Sequence, residues 1–429
     1  MKVSLLIAVV APFLLGTTNA QQTLPRCSST YTRKEIRSLT PTELATFKTV
    51  LTDLNRVGWT AWFSYVHTAN FGPIHGNSMF FPFHRRFLLD FETVARSFNP
   101  SFVAPYWDSA RDYAAPQNSQ VLTSNYIGGN GGSNGCISNG FQSQLTMTYP
   151  NSHCLSRRYN GNGGTIQTWY SPEYILSLVQ SDTTMARFRP DIEYSIHGAV
   201  HLGLGGDFAQ TFSPNDAAFW LHHANIDRLW WLWQNINNRM WLVDGPGPNG
   251  GSMQLSTTIT SYSDPVSSVI QLGYGRVCYN YAASANAPTN TATPQLKMAG
   301  SPAALAAGPV AGSSGGSETQ VASNLIVSLP DSVKQDFFPS FATGSGSSSS
   351  AANALVAPSA SASNSTASAA GDNNLARRES RRPMPRPFPL PDSWIRMHGF
   401  NPQDVRDRYQ RATRFVSTLN SADYISPFV

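Results

Sequence analysis

Seven of the nine histidines in this chain fall into two groups, His67, His75 and His84, then His197, His201, His222 and His223. The stretch HGAVH sets His197 and His201 at i and i+4, which puts both imidazoles on one face of a helix. A lone pair so spaced is a weak signal. Gly198 also stands where a zinc protease would carry its glutamate, which argues against that chemistry. A third imidazole from FWLHHANID would complete one three-nitrogen site, and His67, His75 and His84 would make another. Histidines that merely bond to backbone are a fair reading of one such trio and a poor reading of two. Neutral imidazole suits copper and zinc, and copper stands highest in the divalent affinity order. Six uncharged donors leave the metal charge unbalanced, which favours a reduced pair sharing an anionic guest. The donor set points to a dicopper oxygen site.

Such a site needs elements to hold it. TPTELATFKTVLTDLNRVGWTAWFSYVHTA opens with Thr40, Pro41 and Glu43, a capped start with proline in the first turn. Leu44, Phe47, Leu51 and Leu54 then recur at helical spacing, so one long helix is expected, ending near His67. FHRRFLLDFETVARSF, DIEYSIHGAVH and DAAFWLHHANIDRLWWLWQNI read as three more, the last started by Asn215 and Asp216 after Pro214. His75 falls in the loop between the first two. The expected fold is mainly α, a four-helix bundle around the dinuclear site, with long irregular loops and a low-complexity C-terminal extension.

The flanks set the organisation. Residues 1–20 carry Lys2, an apolar run from Leu5 to Leu15, and small residues at Thr18 and Ala20, the pattern of a secretory signal. The catalytic domain is expected over 21–281, an Ala/Ser/Gly-rich linker over 282–376, and a C-terminal segment over 377–429. The linker holds one apolar stretch, SNLIVSLPDSV, expected to dock on the core, and a glycosylation sequon at Asn364. Secretion makes the four cysteines disulfides. Three pairings are possible; Cys136 with Cys154 and Cys27 with Cys278 are favoured. The net charge of +5 is local, because ten arginines face four acids between Leu375 and Arg414. A nucleic-acid groove would interleave bases and aromatics on a folded face, so no nucleic-acid partner is expected. No stretch beyond the leader is a membrane span, and no membrane partner is expected.

RKEIRSLTPTE, HGNSMFFPFHRRFLLDFE, PYWD, HGAVHLGLGGDF and SPNDAAFWLHHANIDRLWWLW resemble the tyrosinase, catechol oxidase and polyphenol oxidase family of type-3 copper proteins, in the style of its short secreted fungal members. These stretches cover about half the chain. The resemblance implies two copper ions, one held by His67, His75 and His84 and the other by His197, His201 and His223. It leaves His222 as a packed neighbour. The implied activity is oxidation of o-diphenols, and in some members of monophenols, to o-quinones with O₂.

The resemblance also marks departures. Monophenol hydroxylation in the family is tied to an acid that holds a water and to an asparagine directly after the first histidine of the second site. Glu193 matches the acid, but Gly198 stands in place of the asparagine, so catechol oxidation is expected to exceed phenol hydroxylation. The cysteine that many fungal members bond to the second ligand is replaced by Pro73, which should leave His75 freer. Phe80 and Phe212 are candidates to wall or gate the pocket; Trp230, Trp231 and Trp233 are assigned to the core. Asp227 either orients an imidazole or pairs with Arg228 on the helix surface. Many relatives are latent under a C-terminal extension, and Arg377-Arg378 and Arg381-Arg382 resemble processing sites. Three alternatives use the same histidines: an o-aminophenol oxidase, a haemocyanin-like oxygen carrier without turnover, and a structural zinc protein.

Overall fold

Why the chain folds around its histidines is visible in a computed structural model, which describes residues 24–284, 329–338 and 383–428. The leader, the sequon at Asn364 and both dibasic pairs lie outside the described residues. Helix α1 (Pro41–Arg56) starts on the predicted capping box: Thr40 accepts from the Glu43 amide while Glu43 accepts from the Thr40 amide. The expected single long helix is in fact two. Gly58 takes φ +90° and breaks it, and α2 (Trp59–Ala69) leaves in a new direction. A short turn, α3 (Phe71–Ile74), leads to His75, and α4 (Phe80–Phe98) follows.

Further along, α5 (Pro172–Ser181) and α6 (Met185–Ile192) run into a π-helical turn (Glu193–His197) and α7 (Gly198–Leu204). Pro190 interrupts the amide ladder just before the π turn, and such bulges recur where a helix must re-aim functional side chains. Helix α8 (Ala217–Gln234) is capped by Asp216 and is the axis of the molecule: all but Trp231 and Leu232 are buried. It packs on α4, with Phe91 stacked on Trp220 at 3.8 Å between ring centroids. Trp230 and Trp233 are buried, as assigned, whereas Trp231, assigned with them, is only partly buried against the core. The fold is thus mainly α.

Strands are few and short among the described residues. Strand β1 (Tyr31–Arg33) pairs in parallel with β4 (Tyr279–Tyr281), and β2 (Thr146–Met147) pairs antiparallel with β3 (His153–Cys154). Both favoured disulfides form, Cys27–Cys278 beside the first pair and Cys136–Cys154 beside the second.

The C-terminal segment beyond the low-complexity linker is partly helical, in keeping with the sequence PLPDSWIRMHGFNPQDVRDRYQRATRFVSTLN. Residues 383–428 form α10 (Asp392–Met397) and α11 (Pro402–Ser421), with Phe415, Val416 and Leu419 buried. Of the stretch expected to dock only 329–333 lie among the described residues; Leu329 and Val333 are buried in the core cluster, and α9 (Asp331–Phe337) then sets Phe337 against Phe415 of the C-terminal segment. Two of the arginines behind the local positive charge find acids on the core. Arg408 pairs with Asp191 at 2.6 Å, and Arg411 with Asp191 at 2.8 Å and Asp182 at 3.5 Å.

Candidate metal centre

Two helix pairs bring the histidines together. His67 ends α2, His75 follows α3, and His84 lies one turn into α4; their ring centroids are 5.1–5.6 Å apart. Each Nδ1 meets a backbone carbonyl: His67 that of Thr211 at 2.6 Å, His75 that of Phe71 at 3.0 Å, His84 that of Phe80 at 2.7 Å. A carbonyl only accepts, so the proton sits on Nδ1 and Nε2 keeps a free lone pair. The Nε2 atoms of His67 and His84 are 3.5 Å apart. His75 was expected to be loose without a cross-link. Instead the Phe71 carbonyl and ring hold it, the latter at 4.4 Å.

The second group hangs from the π turn, α7 and α8. His201 Nδ1 lies 2.6 Å from the Phe208 carbonyl. Donor atoms of His197, His201 and His222 all lie within 4.8 Å of one another, as do those of His67, His75 and His84. His222, read from sequence as a neighbour, is therefore drawn into the cluster. His223 joins it from the other side: its Nε2 is 3.4 Å from that of His201, and its ring stacks on His84 at 4.3 Å. His75 and His197, at 5.9 Å, link the two groups.

All seven rings are buried, and burial pushes each imidazole down, His67 to about 4 and His201 to about 3. They are neutral, ligand-ready nitrogens. His197, His222 and His223 keep ring nitrogens without a hydrogen-bond partner. Buried orphans of this kind are costly unless something else binds them. Two copper ions fit this donor set.

Aromatic rings wall the centre. Phe80 lies 4.9 Å from both His84 and His197, inside the cluster as expected. Phe212 does not reach the histidine groups; its ring meets Tyr149 and His153. Phe219 and Phe208 went unnoticed in the sequence, yet they lie 4.2 Å from His223 and His201. The spacing of Phe219, four residues before His223 on one helix, was the available signal.

Glu193 is fully buried and spoken for. One oxygen accepts from Arg189 at 2.6 Å and the other from the Gly76 amide at 2.9 Å. Burial pushes its carboxyl up, against the pull of Arg189. It straps the loop of His75 to the turn of His197. Asp227 follows neither expectation: it accepts from Arg33, Arg85, Tyr279 and Tyr281, all buried, while Arg228 bonds Asn225.

The C-terminal segment roofs the site. A Cβ on Gly198 would lie 2.9 Å from Leu390 and 3.2 Å from Trp394. Trp394 lies 5.8 Å from His201, and His398 lies 5.2 Å from His75.

Residues 56–236 match the family model described as the common central domain of tyrosinase. The chain is 31% identical to the tyrosinase-like protein phomQ2 of Diaporthe leptostromiformis over 60% of its own length and 74% of that protein. It is 31% identical to a tyrosinase of Streptomyces antibioticus, over 54% of this chain and 93% of that one. A polyphenol oxidase from Thermothelomyces thermophila aligns with it at a TM-score of 0.49 and 21% identity, covering 60% and 90% of the two chains. No helix among the described residues is long and apolar enough to cross a membrane. On the family match, the relatives and the paired histidine groups, the chain belongs to the tyrosinase family, type-3 copper phenol oxidases with a dinuclear copper centre.

Proposed function

We propose that this protein is a secreted catechol oxidase, turning o-diphenols into o-quinones with O₂ faster than it hydroxylates monophenols. His67, His75 and His84 would hold one copper, and His197, His201 and His223 the other. The observation that carries the ligand set is a repeated contact. The Nε2 atoms of His67 and His84 face each other at 3.5 Å, and those of His201 and His223 at 3.4 Å. Facing lone pairs repel unless a cation lies between them. Two nitrogens each about 2 Å from one metal, a typical metal–imidazole length, would be separated by about 3.3 Å. His222 has no such counterpart and serves as a neighbour.

When bound, the copper pair supplies the two-electron exchange between substrate and O₂. The protein's own part is to keep six imidazoles neutral, to exclude water with Phe80, Phe208 and Phe219, and to place a phenol ring against them. The preference follows from Glu193. Both of its oxygens are already engaged, by Arg189 and by the Gly76 amide, and Gly198 adds no polar group that could hold a water or a phenol proton. Two diphenols yield two quinones as one O₂ becomes two waters. Oxygen uptake with 4-methylcatechol should exceed that with tyramine, and a faster, lag-free monophenol reaction would overturn the preference.

The roof makes the full-length form latent. Trimming after the dibasic pairs should raise activity once residues 383–428 leave; equal specific activity of full-length and tail-less protein would refute latency.

A further inference from the structure

Two of the ring-to-carbonyl bonds at the site reach outside the histidine's own turn, and both end on one short loop. His201 Nδ1 donates to the Phe208 carbonyl and His67 Nδ1 to the Thr211 carbonyl, each at 2.6 Å. The loop from Gly205 to Asn215 therefore fixes the tautomer and the aim of one ring in each histidine group. What fixes the loop is Asp207, which is buried. Its Oδ1 accepts from the Ser156 hydroxyl at 2.8 Å, and its Oδ2 from His153 Nε2 at 2.8 Å and Asn215 Nδ2 at 3.1 Å. The first two partners flank Cys154, which the bond to Cys136 anchors. The third stands at the far end of the loop, so the carboxylate closes the loop on itself. Asn215 in turn accepts from Ser64 at 2.8 Å, three residues before His67 on α2.

The backbone is built for this contact. Gly205 and Gly206 take φ of +61° and +56°, and a Cβ on them would lie 2.0 Å from the Arg158 carbonyl and 2.2 Å from that of Ser156. Glycines let the loop lie that close, with the Asp207 amide donating to the Ser156 carbonyl at 3.0 Å. A loop that needed only to fill space would not bury a carboxylate, which costs free energy unless its oxygens are bonded.

We infer that Asp207 is a positioning residue shared by the two copper positions: it clasps the Gly205–Asn215 loop shut, and that loop aims His67 on one side and His201 on the other. This rests on the copper reading of the site. One carboxylate thereby governs a ligand of each metal, and its loss loosens both together. His75 and His84, tied to carbonyls of their own turns, stay as they are.

The test uses the full-length chain in two forms. Loaded with Cu(II) and challenged with excess EDTA, Asp207→Ala should lose both coppers roughly tenfold faster than wild type by metal analysis, the low end of what disturbing a metal's supporting groups costs. In the metal-free, isotope-labelled protein, NMR reads the solvent exchange of the ring Nδ1–H protons. Those of His67 and His201 should exchange faster in the variant, and those of His75 and His84 should not. His153→Ala, at the part-exposed rim of the network, is the second variant should the first fold poorly. It should show the same pattern at roughly threefold, in line with the net worth of one hydrogen bond. Wild-type copper retention in a folded variant, loss of one copper only, or unchanged ring protons overturns the inference. Equal acceleration of all four ring protons does so too, because it would report general loosening. A wild-type protein that takes up no copper pair would instead sink the copper reading, and the ring protons of the metal-free chain would still decide on the clasp.

Discussion

In the first histidine group every imidazole is tied to backbone, His67 to Thr211, His75 to Phe71 and His84 to Phe80; in the second His201 is tied to Phe208, while His197 and His223 keep unpartnered ring nitrogens. Two of the first three ties span four residues, so they form with the turn or helix that carries them. His197, His222 and His223 instead project from the π turn and α8 with nitrogens unpartnered. The first position is largely built by local structure. The second is assembled by packing, so copper bound there should stabilise the π turn and α8 more than α2 and α4.

The sharpest way to break this comparison is to remove one histidine from each part of the second cluster. His223→Ala should leave one copper per chain and lower catechol turnover on the order of a thousandfold, about 4 kcal/mol of barrier. His222→Ala should keep two coppers and lose far less. Metal analysis beside oxygen uptake decides, and the opposite ranking would make His222 the ligand.

Next in size is the ion cluster beneath the site. Asp227→Ala strands Arg33 and Arg85, both fully buried, and should cost about 3–5 kcal/mol in denaturant unfolding. A loss under 1 kcal/mol would show that the tyrosines and Glu92 suffice without it.

Acid should separate metal-free from loaded protein. The buried imidazoles have folded pKa values below their unfolded ones, His67 at about 4 and His201 at about 3. Below the unfolded value the unfolded chain binds protons that the folded one refuses. Metal-free stability is therefore full above about pH 6.5 and falls with pH by about 1.4 kcal/mol per unit for each such ring, down to its folded value. Thermal melts from pH 7 to 5 measure the slope; a flat profile would mean these rings are not held neutral.

The smallest effect expected is at the roof. Arg411→Ala removes partly exposed pairs with Asp182 and Asp191 and should weaken docking by about 1 kcal/mol. Faster cutting of the segment by added protease would report it, and unchanged cutting would assign docking to the Arg408–Asp191 pair and the buried apolar contacts.

Much of the site was legible without coordinates, because its signals are local. The Thr40–Glu43 box, the Asp216 cap and the i, i+4 histidines each depend on residues within one turn, and four cysteines allow only three pairings. What escaped was long-range. Asp227 sits one turn after His223 and looked like its support, yet its partners lie 142–194 residues upstream and 52–54 downstream. Asp182 and Asp191, which pair with the tail's Arg411, are more than 200 residues away from it, so the charge of the stretch gave no sign of them.

Taken alone, the amino-acid order determined the candidate donors and most of the helices that carry them, and favoured one of three disulfide pairings, since periodicity, caps and residue chemistry act over a few positions. Only the tertiary structure decided that Gly58 splits the first helix, that Glu193 is clamped, that both His222 and His223 reach the cluster, and that His398 arrives from the far end of the chain. Those outcomes depend on which surfaces meet in space, and no local pattern encodes that meeting.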